Sequence, residues 1–164
     1  MHKCMELLDL DRGSREEVQA QVDGFFELGI FDEELRPYIS IYRLSRMLCS
    51  DLGRRMAAAD ERGELYREQQ FYYGVKAGDI YGRNCGDADE MILVQGIIDA
   101  YFIEDGGLVI IDYKTDRVDS LEKLKDMYHV QLDMYADIIS KLTALPVKEK
   151  VLYSFNLNDS ISFG

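Results

Sequence analysis

The sequence predicts a mixed α/β fold, in which helices flank a central mixed β-sheet and a helical part precedes the sheet. Up to about residue 62, apolar residues recur at helical spacing. From residue 64 onwards, runs rich in aromatic and β-branched residues predict strands, and an amphipathic stretch between them predicts a long helix. The expected order after residue 64 is therefore β-β-β-α-β-β.

The helical part has a clear start signal. Ser14 and Glu17 have the spacing of a capping box, which predicts a helix from residue 14 to about residue 28. Further helical segments are predicted around residues 2–9, at 32–34 before Pro37, and from 39 to about 62.

The core is expected to combine short strands with one long helix. Strands are predicted at residues 64–75, 91–103, 108–114, 150–155 and 160–163. Residues 74–90 are predicted to form a polar, glycine-containing loop. An apolar stripe that includes Leu124, Leu132 and Ile139 predicts the helix from residue 120 to about 142.

The composition fits a single soluble domain, with 164 residues of which 47% are hydrophobic. We expect the helical part at about 1–62 and the core at about 64–164. The sequence contains neither a bilayer-length apolar run nor a secretory signal, so we expect a cytosolic protein without a membrane partner. Cys4, Cys49 and Cys85 lack metal-site spacing and are expected to be reduced thiols.

The charge balance limits the possible partners. The net charge is -12, with 31 acidic and 19 basic residues. Nucleic-acid binding depends on neutralisation of phosphates by lysine and arginine, so the overall field disfavours it. A polyanion partner would need a local cationic site, a bound metal or a larger assembly with a basic surface.

A hairpin is predicted in residues 96–115, GIIDAYFIEDGGLVIIDYKT. Asp105 and Gly106 form the dipeptide typical of a tight two-residue turn, which would pair Glu104 with Gly107. The same register would bring the two aspartates of the hairpin face to face.

Asp99 and Asp112 are those aspartates, and Lys114 would lie on the same face of the sheet. The opposite face would be core. It is expected to carry Ile98, Ala100, Phe102, Val109, Ile111 and Tyr113.

The facing aspartates predict a metal site. Opposed carboxylates, with Cβ atoms about 4.5–5.5 Å apart, repel each other unless a positive charge lies between them. Oxygen ligands favour Mg²⁺ or Mn²⁺, and Lys114 could orient or deprotonate a water or stabilise a phosphate. This set suits phosphodiester hydrolysis. The alternative is that the aspartates are surface residues at strand ends and Lys114 only pairs with them.

The motifs in order resemble a known family. They are Gly96-Ile-Ile-Asp99, Asp112-Tyr-Lys-Thr115 and Gln131-Leu-Asp-Met-Tyr135. Together they resemble the RecB-like nucleases of the PD-(D/E)XK superfamily, and more closely the C-terminal nuclease domains of AddA helicase–nuclease subunits of bacterial AddAB. The resemblance runs nearly end to end. It implies a restriction-endonuclease-like core and a DNA-cleaving domain that acts behind a helicase motor.

The resemblance also implies roles for individual residues. Asp99 and Asp112 match the metal-binding carboxylates, and the carbonyl of Tyr113 matches a further ligand. Lys114 matches the catalytic lysine. His2 matches a histidine that can complete the metal shell.

Four further residues are implied to contact DNA or brace the site. Gln131 and Tyr135 match the family's QxxxY motif, one helical turn apart. Tyr135 could instead be core, with Gln131 at its rim. Thr115 follows the catalytic lysine, and Glu68 aligns with an E-x-P-F strand motif that has glutamine here in place of proline.

The resemblance implies Mg²⁺ or Mn²⁺ as cofactor, without an iron–sulfur cluster. The expected partners are a single DNA strand, helicase domains of the same polypeptide and an AddB-like subunit, in the bacterial cytoplasm. No G-x-x-x-x-G-K-[ST] motif occurs, so ATP hydrolysis through a P-loop is not expected in these residues. The chain is expected to be one domain of a larger helicase–nuclease.

Two alternatives remain open on the sequence. The first is a non-catalytic interaction domain of the same fold, with an acidic surface and residues 14–62 as its docking face. The second is a stand-alone RecB-like nuclease of phage or CRISPR-adaptation type.

Overall fold

The computed structural model describes residues 1–76, 78 and 89–164. The N-terminal part is helical, as predicted. It comprises α1 (His2–Leu7), α2 (Arg15–Glu27), a 3-10 helix (Glu33–Tyr38), α3 (Ile41–Leu48) and α4 (Asp51–Glu61). The core comprises β1 (Leu65–Lys76), β2 (Met91–Glu104), β3 (Gly107–Lys114), α5 (Leu121–Thr143), β4 (Val147–Ser154) and β5 (Asp159–Phe163).

The strands form one mixed sheet in the order β1-β2-β3-β4-β5. The pair β3–β4 is parallel, and α5 provides the crossover that a parallel pair requires; the other neighbouring pairs are antiparallel. The predicted mixed α/β class and the predicted order of strands and helix along the chain after residue 64 are confirmed. None of the helices in the described ranges has the length and apolarity needed to cross a lipid bilayer.

Both faces of the sheet are buried. One hydrophobic cluster, here called the N-terminal core, joins the sheet to the N-terminal helices through residues such as Met5, Met56 and Phe102. A second cluster, the α5 core, joins the opposite face to α5 through residues such as Leu132 and Ile110. The sheet is therefore packed on both faces, against the N-terminal helices and against α5. This packing fixes the side chains at the ends of the strands.

The capping box at the start of α2 is confirmed, but the single helix predicted for residues 39–62 is wrong. The helical conformation is interrupted at Cys49 and Ser50, between α3 and α4. The Ser50 hydroxyl accepts a hydrogen bond from the amide of Gly53 and so starts a new helix. Because both helices bury apolar residues, their helical spacing hides the break in the sequence.

Two strand ends differ from the prediction. β1 continues to Lys76, beyond the predicted start of the loop, and β4 begins at Val147 rather than at residue 150. Lys148, whose charge argues against a strand, lies near the β2–β3 turn and pairs with Glu104 and Asp105. Most of the predicted 74–90 loop, including Cys85, lies outside the described residues.

The predicted register of the β2–β3 hairpin is confirmed. The paired residues run from Glu104↔Gly107 to Ala100↔Ile111. At the turn, Asp105 and Gly106 have φ angles of 50° and 75°, the left-handed values that a two-residue turn of this kind requires. The pairing ends at Ala100↔Ile111, one position before Asp99 and Asp112, so the facing of these two aspartates stays a prediction.

One assignment to a face of the sheet is wrong. Ile98 was expected beside Ala100 but lies in the α5 core, together with Tyr101. The alternation of side chains therefore changes at Asp99. Opposite this point, Glu68 of β1 has a φ angle of 51°. The register continues on both sides of this kink, with the pairs Arg67↔Ala100 and Gln69↔Ile98.

Gly96 provides a stability prediction. A Cβ atom at Gly96 would lie 2.7 Å from Cζ of Phe71, its cross-strand partner. Gly96→Ala must displace the Phe71 ring and should lower the free energy of unfolding by about 1–3 kcal/mol. Urea unfolding measures this, with Gly24→Ala as the control because that site has open space in a helix. Equal stability of Gly96→Ala and wild type would contradict the close packing.

Candidate active site

The predicted site residues form two groups of contacts, one that joins α1 to β2 and β3 and one that joins β3 to α5. Asp99 comes from β2, and Asp112 and Lys114 come from the end of β3. His2 comes from the start of α1, and Gln131 comes from the middle of α5. Contacts between these side chains link positions that are far apart in the sequence.

Asp99 is held by the backbone of the neighbouring strand. Its Oδ2 accepts a hydrogen bond from the amide of Tyr113 at 2.7 Å and lies 3.5 Å from Nε2 of His2. Burial raises the pKa of Asp99 to about 6; the Tyr113 amide and His2 oppose the rise, while the carboxylates of Asp112 and Glu68 add to it. The Asp99 carboxylate therefore occupies a site where a cation would be stabilising.

Asp112 is more deeply buried, with 4% of its surface exposed. Its Oδ2 lies 2.7 Å from Nζ of Lys114, within ion-pair distance. No donor other than this ammonium reaches the oxygen within the described part of the chain. A buried carboxylate oxygen in this state is costly unless another positive group approaches it.

Lys114 is surrounded by three groups. Its Nζ lies 2.7 Å from Oδ2 of Asp112, 3.2 Å from Oε1 of Gln131 and 3.9 Å from the centre of the Tyr128 ring. Only 13% of the Lys114 side chain is exposed. The ammonium is therefore confined to one position beside Asp112.

Gln131 and Tyr135 link this lysine to the core. Nε2 of Gln131 donates a hydrogen bond to the Tyr135 hydroxyl at 2.9 Å, which leaves Oε1 to face Lys114. Tyr135 is buried in the α5 core, where its ring meets Phe71 edge to face at 5.6 Å. Tyr135 is thus a core residue and also a brace for Gln131.

His2 contacts the backbone carbonyl of Tyr113, which is another of the expected metal ligands. Its Nε2 lies 2.7 Å from the carbonyl oxygen of Tyr113. α1, which carries His2, is fixed at its other end by Arg67, which donates hydrogen bonds to the carbonyls of Leu8 at 2.7 Å and Met5 at 3.3 Å. His2, Asp99 and the Tyr113 carbonyl therefore lie together.

Glu68 and Thr115, the two remaining residues expected at the site, differ in burial and in their neighbours. Glu68 is half-buried, and its charge acts on Asp99 and Tyr113. Thr115 is exposed and makes no side-chain hydrogen bond to the described residues. The structure therefore brings Glu68 near the site but does not bring the Thr115 side chain into it.

Two contacting residues were missed from the sequence. Arg67 holds α1, and the Tyr128 ring lies against Lys114. Tyr128 stands one helical turn before Gln131, so helical spacing could have indicated it. The contact of Arg67 spans 59 residues and leaves no periodic pattern.

The donor set fits a divalent cation. It offers two carboxylates, a backbone carbonyl and an imidazole, ligands that suit Mg²⁺ or Mn²⁺ when oxygen predominates. The burial of the Asp112 carboxylate and the raised pKa of Asp99 both favour a cation here. Within the described ranges, no three His, Cys, Asp or Glu side chains are already arranged as a metal cluster. Instead, His2 faces the Tyr113 carbonyl and Lys114 faces Asp112.

Arg67→Met is expected to weaken metal binding through His2. Loss of the hydrogen bonds to α1 frees the helix that carries His2, and changes behind a ligand typically cost about 10-fold or more in metal affinity. Titration with Mn²⁺ measures the effect. Arg62→Met is the matched control, because Arg62 binds a carbonyl near the end of α4 instead. Unchanged affinity in Arg67→Met would contradict this role.

The raised pKa of Asp99 predicts an unusual pH dependence without metal. The folded state holds the Asp99 proton more tightly than the unfolded state, where the pKa is near 3.8. The protonated Asp99 side chain therefore makes its full contribution to the free energy of unfolding below about pH 4. This contribution falls by about 3 kcal/mol as the pH rises through 6.

Urea unfolding in EDTA, compared between wild type and Asp99→Asn, measures this contribution. The difference isolates Asp99 from carboxyls such as Glu104, whose pKa is lowered to about 2 by Arg55, and whose contribution is lost at low pH. Parallel profiles for the two proteins would contradict the prediction.

Comparison with known proteins identifies the family of the chain. Residues 1–160 match the model of the PD-(D/E)XK nuclease superfamily. Curated relatives, named as subunits of an ATP-dependent helicase/nuclease, are 34% identical in Clostridioides difficile, 36% in Clostridium kluyveri and 35% in Clostridium botulinum. The matches cover 99%, 95% and 98% of this chain but 13% of each relative. The resemblance drawn from the motifs, and the restriction-endonuclease-like fold that it implies, are confirmed.

Proposed function

This chain belongs to the PD-(D/E)XK nuclease superfamily, and from that membership we propose that it is a metal-dependent deoxyribonuclease domain that hydrolyses phosphodiester bonds. One observation carries the proposal. The buried carboxylate of Asp112 lies 2.7 Å from the ammonium of Lys114, and no other donor of the described residues reaches that oxygen. Asp99 adds a second largely buried carboxylate, which a divalent cation would stabilise.

The metal-binding groups in this proposal are the carboxylates of Asp99 and Asp112, the carbonyl of Tyr113 and the imidazole of His2. Mg²⁺ is the proposed ion and Mn²⁺ a substitute. When bound, such an ion polarises a phosphoryl oxygen and lowers the pKa of water. The protein orients these groups through the Asp99–Tyr113 hydrogen bond and through Arg67 at the end of α1.

Lys114 is the proposed catalytic cation. Its position beside Asp112 lets the ammonium donate a hydrogen bond to the attacking water or to a phosphate oxygen. Gln131 and Tyr135 keep the ammonium in place, which favours bracing as their role. Thr115, which is exposed, is proposed to contact DNA, and Glu68 is assigned a minor part near Asp99.

The proposed setting is a helicase–nuclease of the bacterial cytoplasm. The relatives are named as helicase/nuclease subunits, and the chain spans 13% of their length. We propose that helicase domains in the same polypeptide deliver a single DNA strand during double-strand-break repair and recombination, with an AddB-like partner subunit. This assembly would supply the basic DNA channel that a domain with a net charge of -12 lacks.

A cleavage assay tests the function. Wild-type protein is incubated with end-labelled single-stranded and duplex DNA in Mg²⁺, in Mn²⁺ and in EDTA. We expect cleavage that requires the metal, and the product lengths identify exonuclease action. Intact DNA under all metal conditions would reject the proposal.

The alternative is a non-catalytic interaction domain. Its supporting observation is that several apolar side chains on the helical part are exposed, among them Leu28, Ile30, Leu35 and Tyr38. Such a domain should bind no divalent ion through Asp99 and Asp112. Calorimetric titration with Mn²⁺ separates the two functions, because the nuclease requires binding that Asp112→Asn abolishes.

A further inference from the structure

The aromatic ring of Tyr128 lies against the ammonium of Lys114 and has no role in the mechanism proposed above. Nζ of Lys114 lies 3.9 Å from the centre of this ring. At that distance, the negative face of the ring attracts the ammonium, and the attraction is strongest where water is excluded. The Lys114 side chain is 13% exposed, so the contact is largely sheltered.

The ring itself packs against the protein core. Its body is half-buried and packs against the α5 core. This packing limits the positions that the ring can take.

A ring face suits a lysine that must act on another molecule. Lysine has a long flexible stem, and its three N–H donors can rotate freely. A carboxylate in place of the ring would take one donor in a short hydrogen bond. The ring holds the charge without a directed acceptor, so it leaves the donors available to Gln131, Asp112 and an incoming group.

We propose that Tyr128 is a positioning residue for Lys114, which it holds through its ring face in the orientation required for phosphodiester hydrolysis. This inference rests on the proposed nuclease function. Base stacking is a weaker explanation for the ring, because the ammonium already occupies one of its faces.

The test compares variants that keep or remove the ring. Tyr128→Phe, Tyr128→Leu and Tyr128→Met are assayed on an end-labelled single-stranded oligonucleotide with Mg²⁺. The protein is used as it occurs in its host, with any further domains and subunits present. We expect the Leu and Met variants to lower kcat about tenfold with KM unchanged, and Tyr128→Phe to stay within about twofold of wild type.

Phe163→Leu is the matched control. Phe163 also packs against the α5 core and lies under two lysines, Lys125 at 4.7 Å and Lys150 at 5.2 Å. Its replacement removes a similar ring without touching Lys114 and should leave kcat unchanged. Thermal unfolding of each variant separates loss of folding from loss of positioning.

Several results would overturn the inference. These are wild-type kcat in the ring-free variants, an equal loss in Tyr128→Phe, or a rise in KM with unchanged kcat, which would indicate substrate contact. Should neither ring-free variant fold, the wild-type NMR spectrum decides, because Lys114 methylene protons under a ring must show an upfield ring-current shift. An inactive wild type would instead reject the proposed function, and this inference with it.

Discussion

Lys114→Met is expected to lower the rate of DNA cleavage by about 10²–10³-fold, the usual effect of removing one group that stabilises transition-state charge. Methionine keeps the length of the side chain but removes the ammonium that lies 2.7 Å from Asp112. The proposed metal-binding groups remain, so the affinity for Mn²⁺ should stay at the wild-type level or increase. Single-turnover cleavage and calorimetric titration measure the two quantities separately.

Lys123→Met is the control for this change. Lys123 lies on the same helix as Gln131, but it is exposed and pairs with Asp119. Its replacement should leave cleavage unchanged. Cleavage at the wild-type rate by Lys114→Met would remove the lysine from the mechanism, even if the metal dependence were confirmed.

Asp112→Asn is expected to reduce both DNA cleavage and metal binding strongly. The amide has the shape of the carboxylate but lacks its charge, so the metal loses a buried ligand. We expect cleavage to fall by about 10³-fold or more, since the metal contributes several kcal/mol of transition-state stabilisation. Mn²⁺ affinity should fall by about 100-fold or more, because even changes behind a ligand cost about 10–100-fold. The same assays apply.

The matched control is Asp119→Asn, which changes an exposed aspartate that pairs only with Lys123 among the described residues. It should retain activity and affinity. Metal-dependent cleavage by Asp112→Asn at more than about a tenth of the wild-type rate would contradict the assignment. Together, the lysine and aspartate variants separate the two roles, because only Asp112→Asn should lose the metal.

The central residues of the candidate site could be predicted because signals between residues close in the sequence determine their positions. The dipeptide Asp105-Gly106 sets the turn, and the turn sets the register that the structure shows from Glu104↔Gly107 onwards. Alternation along β3 places Asp112 and Lys114 on one face, and helical spacing places Gln131 beside Tyr135. The ion pair and the hydrogen bond in the structure agree with these two expectations.

The surroundings of the site could not be predicted because they depend on contacts between distant segments. Arg67 reaches the end of α1 across 59 residues. The kink at Glu68 and Asp99, which moves Ile98 to the other face, requires a left-handed φ angle at a residue that is not glycine. Neither feature changes the apolar pattern of the strand.

The division of the predicted 39–62 helix has a related cause. Ser50 is one polar residue between two apolar helical stretches, and a serine there can be exposed in a continuous helix or can cap a new one. Tertiary packing decides between these outcomes. Gly53, whose missing Cβ would lie 2.4 Å from the carbonyls of Met47 and Leu48, allows the tight turn.

The central claim is that Asp99, Asp112, the Tyr113 carbonyl and His2 form a metal centre, and an anomalous difference map from crystals soaked in Mn²⁺ tests it most directly. We predict a peak within coordinating distance of both carboxylates and of the Tyr113 carbonyl, and no such peak in crystals of Asp112→Asn. A map with no peak beside Asp99 and Asp112 at saturating Mn²⁺, or a peak unchanged in Asp112→Asn, would contradict the claim.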